Sequence, residues 1–152
     1  MKTIEERYML EALKEAKKAA FEDEVPIGCV IVKDNKIIAR GHNLRENKKD
    51  VTCHAEIVAI RKANKKLNDW WLKDCDLYVT IEPCLMCIGA IYQSHINRVI
   101  YGAKDPKGGA VSSIIRFDEI KNLNHYPEIV SGVLEEECSQ IIRNYFKAKR
   151  SK

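Results

Sequence analysis

The sequence is poor in the residues that build fibres, linkers and disordered tracts: of 152 residues only 7 are glycine and 4 are proline. That excludes a glycine-periodic fibre and a Pro/Gly-rich low-complexity chain. Long apolar stretches are missing too. The run Ile27 to Val32 is far shorter than the ~20 residues that span a bilayer. Met1-Lys2-Thr3-Ile4-Glu5-Glu6 carries no apolar segment of the kind found in a secretory signal. Neither sign of charge dominates, with 26 Lys+Arg against 22 Asp+Glu and a net charge of +4. No repeat and no linker interrupts the chain. These absences predict one soluble cytoplasmic domain, residues 1–152, with no membrane contact and enough length to bury a core.

Charge is unevenly spread. Between Lys33 and Lys66 there are 10 Lys+Arg and 4 Asp+Glu, and the stretch 143–152 holds Arg143, Lys147, Lys149, Arg150 and Lys152 without an acid. Such a surface permits a nucleic-acid partner without requiring one. The six cysteines are Cys29, Cys53, Cys75, Cys84, Cys87 and Cys138. In a reducing compartment they stay as thiols, and the Cys84-x-x-Cys87 spacing points to metal or redox chemistry. Cys29, Cys75 and Cys138 read as small buried apolar residues.

Thr3-x-x-Glu6 is a capping box that opens a helix to about Ala20, with Met9, Leu13, Ala16 and Ala20 on one face. The β-branched run Ile27–Val32 predicts a buried strand, returning after Lys33-Asp34-Asn35 as a second arm over Lys36–Arg40. A polar loop, Gly41 to Thr52, precedes a helix from His54 to about Lys66. Strands are predicted at Asp76–Ile81, Arg98–Gly102 and Ile129–Val133. Helices are predicted from Pro83, in the first turn, to about Ser94, over Ile114–Ile120, and from Glu135 into the basic tail. Strands separated by helices become parallel neighbours, so the order predicts an α/β fold with a mixed five-stranded sheet and helices on both faces. The strand ending at Ile81 delivers Pro83-Cys84-Leu85-Met86-Cys87 to the sheet's carboxyl edge, where α/β proteins place their sites.

Two clusters open helices: His54-Ala55-Glu56 and Pro83-Cys84-x-x-Cys87. Cys84 and Cys87, three apart, share a helix face. One imidazole and two thiolates suit tetrahedral Zn²⁺, and three protein ligands leave a fourth position open, as catalytic sites do. Glu56 stands where a carboxylate would take and return a proton. A closed structural zinc with Cys53 as fourth ligand is a competing reading, as is a redox Cys-x-x-Cys that leaves His54-x-Glu56 without a role.

His54-x-Glu56 followed by Pro83-Cys84-x-x-Cys87 resembles the signature of the zinc nucleobase deaminases. Over nearly the whole chain the sequence is similar to the bacterial tRNA-specific adenosine deaminases. Glu24-Val25-Pro26-Ile27-Gly28, His42-Asn43-Leu44-Arg45-Glu46, Tyr78 to Cys84, Gly102 to Ala110, Asn124-His125 and Gly132 to Cys138 carry the likeness. It departs at Ser112-Ser113-Ile114, where that family has a Gly-Ser-Leu sequence, and at Cys53, where a small apolar residue is usual. The resemblance implies the three-layer α-β-α cytidine-deaminase-like fold, one zinc per subunit on His54, Cys84 and Cys87, and Glu56 as catalytic proton carrier. It also implies deamination of the wobble adenosine in a tRNA anticodon stem-loop, and a homodimer. Asn43 and backbone groups near Ala55 would read the base, Val25 and Ile27 would wall it, and Asp105, Lys107, Asn124 and His125 would hold flanking nucleotides. Tyr145, Phe146, Lys147, Lys149 and Arg150 would meet the RNA backbone. Each has an ordinary alternative: Asn43 as a turn residue, Val25, Ile27, Tyr145 and Phe146 as core, the cations as a solvated tail. His42 and His95 read as structural, and Trp70-Trp71 as a packed loop. A guanine- or cytosine-type small-molecule deaminase and a zinc-stabilised RNA-binding module without catalysis are the alternative functions.

Overall fold

The computed structural model describes residues 1–150; the last two residues of the expected basic helix end, 151–152, lie outside the described residues. Helix α1 (Ile4–Phe21) begins at the capping box: the Glu6 N–H donates to Thr3 Oγ1 at 3.1 Å, and the Thr3 N–H donates to Glu6 Oε1 at 2.9 Å. Its buried face is Met9, Ala12, Leu13, Ala16 and Ala19. The five strands are β1 (Gly28–Lys33), β2 (Lys36–His42), β3 (Cys75–Ile81), β4 (Arg98–Ala103) and β5 (Glu128–Val130), ordered β2-β1-β3-β4-β5. β1 runs antiparallel to both β2 and β3, while β3, β4 and β5 are mutually parallel. The hairpin reading foresees only the first antiparallel pair; the second, from Cys29 opposite Val79 to Lys33 opposite Cys75, bridges residues far apart in sequence.

Side chains alternate across the sheet. Cys29, Ile31, Leu77, Val79, Val99 and Tyr101 face a core closed by α3 (Ala55–Leu67) and α4 (Leu85–Gln93). Val30, Val32, Tyr78 and Ile100 face the other way, onto α1 and Cys138 of α5 (Glu135–Arg150). The three-layer architecture is therefore as expected.

The differences are local. A short helix, α2 (Arg45–Lys48), sits in the stretch expected as loop. Pro83 precedes the N-cap of α4 instead of occupying its first turn, because Cys84 is the N-cap. The expected helix over Ile114–Ile120 is only a 3₁₀ turn, Phe117–Glu119: the N–H groups of Val111, Ser112 and Ser113 donate to the Glu82 carboxylate, and Phe117 is drawn into the core. β5 stops at Val130; Gly132 and Leu134, both with positive φ, turn the chain into α5. Trp70 and Trp71 are 65% and 44% exposed rather than packed. Leu72 closes the core beside them, leaving the two indoles stacked on each other and edge-on to His95.

Candidate active site

Two helix N-termini converge. His54 is the N-cap of α3 and Cys84 the N-cap of α4; both have extended backbone, and neither uses its side chain to cap its helix. The imidazole and the thiol are thus free to point across the ends. His54 Nδ1 lies 3.6 Å from Cys84 Sγ and 3.6 Å from Cys87 Sγ. A tetrahedral zinc, with Zn–N near 2.05 Å and Zn–S near 2.3 Å, sets N···S edges of about 3.6 Å, so the donor set fits the ion. Among the described residues this trio is the one cluster of His, Cys or acid side chains with ligand atoms within 4.8 Å of one another. Cys53, buried beside His54, is not part of it; its Sγ accepts from Arg61 Nη1 at 3.7 Å. The closed four-ligand reading therefore has no fourth ligand.

The hydrogen bond from Cys87, joined by the imidazole of His54 and opposed by burial, lowers the Cys84 thiol to about 4. The same bond pushes Cys87 up. Glu56, the second residue of α3, is only 3% exposed. Burial, helped by the charge of Cys84, raises its carboxyl to about 7 against the opposing pull of its own N–H, of His54 and of a hydrogen bond from Cys87. Those partners place the carboxylate against the metal ligands. A buried carboxyl at this position stands where it can take and return a proton.

α3 is held against the sheet at Gly41, where an added Cβ would stand 2.6 Å from the Ala55 carbonyl oxygen and 2.7 Å from the Ala59 nitrogen. Beside it, Asn43 is buried. Its N–H donates to Ile27 O at 3.1 Å, its amide donates to Val25 O at 3.4 Å, and its Oδ1 accepts the Arg45 N–H at 3.1 Å. Asn43, Val25 and Ile27 thus form one unit, and Asn43 also makes the turn into α2. Ala55, fully buried, opens α3, where a backbone N–H has no intrahelical acceptor. Tyr145, Phe146 and Lys149 of α5 join Val25 and Arg45 around a cavity of about 360 Å³. Tyr145 Oη donates to Asp23 at 3.3 Å, and Lys149 pairs with the same carboxylate at 3.1 Å. Neither aromatic is core: Tyr145 is half-buried and Phe146 is 42% exposed. Lys147 and Arg150 are exposed and line a second groove along α5 with Phe146.

Asp105 accepts from the N–H groups of Lys107 and Gly108, both at 3.2 Å, and so shapes the turn that exposes Lys107. Asn124 and His125 are not brought to the metal ligands of their own chain. The His125 ring nitrogen Nε2 bonds Ile96 O at 2.7 Å, past the C-terminal end of α4, whose N-terminus carries Cys84 about 14 Å away at 1.5 Å per residue. Sequence reasoning overlooked two acids. Glu24, 1% exposed, accepts from the N–H groups of Glu46 and Asn47 and so fixes α2. Glu82, 2% exposed, gathers the loop after β4. Their signal was an acid at the edge of an apolar strand, with no cation nearby in sequence to balance it.

The profile of the cytidine and deoxycytidylate deaminase zinc-binding region matches residues 2–103. A tRNA-specific adenosine deaminase of Bacillus subtilis (strain 168) is 48% identical over 150 residues, covering 99% of this chain and 93% of the relative. One from Agrobacterium fabrum is 48% identical over 143 residues, covering 94% of each. A solved structure from work on A-to-I editing by tRNA:A34 deaminases at the wobble position of transfer RNA superposes with a TM-score of 0.86 at 48% identity, covering 89% of this chain and 99% of the other. A guanine deaminase from Bacillus subtilis superposes less closely, with a TM-score of 0.63 at 32% identity, covering 97% and 94%. With a single-zinc donor set of His54, Cys84 and Cys87 and a buried acid against it, the chain belongs to the zinc-dependent cytidine and deoxycytidylate deaminase family, alongside the tRNA-specific adenosine deaminases.

Proposed function

We propose that the protein converts the wobble adenosine of a tRNA anticodon loop to inosine by hydrolysis, releasing ammonia. The observation that carries this is Glu56, buried against the three-ligand cluster, in a chain 48% identical to a tRNA-specific adenosine deaminase along almost its full length. When bound, zinc supplies a Lewis acid that lowers the pKa of a coordinated water from about 15.7 toward ~7. Glu56 takes a proton from the attacking water and passes it to the adenine ring nitrogen, then takes the second proton from the hydroxyl now on C6 and delivers it to the amine, which leaves as ammonia while the C6 carbonyl forms. His54, Cys84 and Cys87 hold the ion. Asn43 and the N–H groups at the start of α3 near Ala55 read the base edge, and Val25 and Ile27 enclose it. An anticodon loop presents an unpaired base, so little unstacking opposes its entry. Lys107, Tyr145, Phe146, Lys147, Lys149 and Arg150 contact the RNA, with Asp105 shaping the loop that carries Lys107.

Residues 1–152 act as one domain. A homodimer whose partner helps build each site is supported by Asn124 and His125, which stand away from the metal ligands of their own chain and would hold nucleotides bound at the partner's. Six free cysteines suit the reducing cytoplasm. No helix among the described residues is long and apolar enough to cross a membrane. The test sets a wobble-adenosine stem-loop against free guanine with the purified protein. Inosine in the loop with guanine untouched supports the reading. Guanine turnover with an unaltered loop overturns it.

A further inference from the structure

Glu82 follows the last residue of β3 and directly precedes the Pro83-Cys84 step. Its side chain is buried, and among the described residues no Lys, Arg or His forms an ion pair with it. The charge is met by backbone dipoles instead. Oε2 accepts the N–H groups of Val111 at 3.0 Å, Ser112 at 2.8 Å and Ser113 at 3.0 Å; Oε1 accepts the Asp105 N–H at 3.1 Å and the Ser113 hydroxyl at 2.5 Å. Both ends of the 105–113 loop thus close on one carboxylate. Gly109 lets them approach, since a Cβ there would come within 2.3–2.6 Å of the carboxylate atoms. The Ala110 N–H also donates to Pro83 O at 2.8 Å, and Tyr101 Oη shares a 2.7 Å hydrogen bond with Ser112 Oγ. Lys107 rides at the exposed crest of this loop.

We propose that Glu82 is a positioning residue, whose carboxylate gathers both ends of the 105–113 loop so that Lys107 is held toward the RNA at the metal site. Glutamine tests it. The shape is nearly conserved, but a neutral amide offers one acceptor oxygen where two charged ones served, and its NH₂ would face donors. Hydrogen bonds to a charged group are worth more than neutral ones, and donors left unpaired in a buried site favour another loop conformation. Zinc content and circular dichroism separate this effect on Lys107 from any wider change, since Ala110 and Val111 of the same loop belong to the core.

The inference rests on the reading of Lys107 as an RNA contact, so the experiment is a double-mutant cycle on the holoenzyme. KM and kcat for the wobble-adenosine stem-loop are measured for the unaltered chain, Lys107→Ala, Glu82→Gln and the pair, with zinc content and circular dichroism for each. Lys107→Ala alone should raise KM about fivefold, the loss of one phosphate contact. Glu82→Gln should raise KM about tenfold with kcat changed less than about threefold, and should keep one zinc per chain. In the Glu82→Gln background, Lys107→Ala should add less than about twofold, because the lysine is already misplaced. Ser113→Ala, which deletes a single donor to Oε1, should act in the same direction at about two- to threefold and carries the same cycle where Glu82→Gln does not fold. Full additivity in the cycle overturns the proposal. Loss of zinc from a folded Glu82→Gln overturns it as well, since the residue would then act on Cys84. If Lys107→Ala leaves KM unchanged in the otherwise unaltered chain, the RNA reading of the loop falls and the proposal with it.

Discussion

Replacing Gly41 by alanine tests whether the contact between β2 and α3 sets the metal geometry. The new Cβ would lie 2.6 Å from the Ala55 carbonyl oxygen, 2.7 Å from the Ala59 nitrogen and 3.2 Å from the Val58 Cβ. Ordinary contact begins near 3.4 Å, so α3 must retreat by about 0.8 Å, and the two nearest atoms are backbone that no rotamer change can move. Overpacking of this kind costs about 1–3 kcal/mol. In a domain of this size that is about 3–10 °C in Tm. The N-terminus of α3 carries His54 and Glu56. Metal–ligand distances tolerate only about 0.2 Å, so a retreat of this size also weakens zinc binding. Gly89→Ala is the internal control: it sits inside α4 with nothing within 4 Å of the added Cβ, so alanine's helix preference should stabilise by about 0.5–1 kcal/mol. Thermal melts and zinc content read both variants. A Gly41→Ala protein with unchanged Tm and a full complement of zinc would refute the reasoning.

Cys84→Ser and Cys87→Ser should each lose zinc and activity together, while Cys53→Ala keeps both by metal analysis and inosine assay. Replacing Lys147, Lys149 and Arg150 together should weaken stem-loop binding and reduce the slope of log K against log salt by about 2. The acid limb of stability should carry Glu24 and Glu82. Burial alone would raise either carboxyl, but the N–H groups of Asn47 and Glu46 on Glu24, and of Ser112, Asp105 and Val111 with the Ser113 hydroxyl on Glu82, hold both below the usual range. A depressed folded-state pKa contributes stability that is present above the unfolded value near 4.3 and lost as pH falls through the folded one. Denaturant titrations from pH 6 to pH 3 should therefore fall less steeply for Glu82→Gln than for the unaltered chain.

Local chemistry made much of this molecule readable. Thr3 and Glu6 announce their helix because the capping hydrogen bonds join neighbours. The metal ligands were legible because two of them lie three residues apart at one helix start and the third opens another. What escaped depends on distant partners. The periodicity of Ile114–Ile120 suits a helix, but Glu82, about thirty residues earlier, takes the N–H groups that would precede it. Lys149 reads as a free cation until Asp23, 126 residues away, is found beside it. Trp70 and Trp71 read as a packed loop, yet Leu72 takes the buried place beside them. The antiparallel pairing of β1 with β3 likewise has no local cue.

The most direct test of the account is Glu56→Ala, assayed for zinc and for inosine in a wobble-adenosine stem-loop. The side chain binds no metal in this arrangement, so one zinc per chain should remain on His54, Cys84 and Cys87. Turnover should drop by at least ~10²–10⁴-fold, the usual worth of general acid–base catalysis, and by more if one carboxylate moves several protons. A zinc-loaded Glu56→Ala protein that makes inosine at near-normal rate would contradict the account, because the proton transfer would then belong to another group.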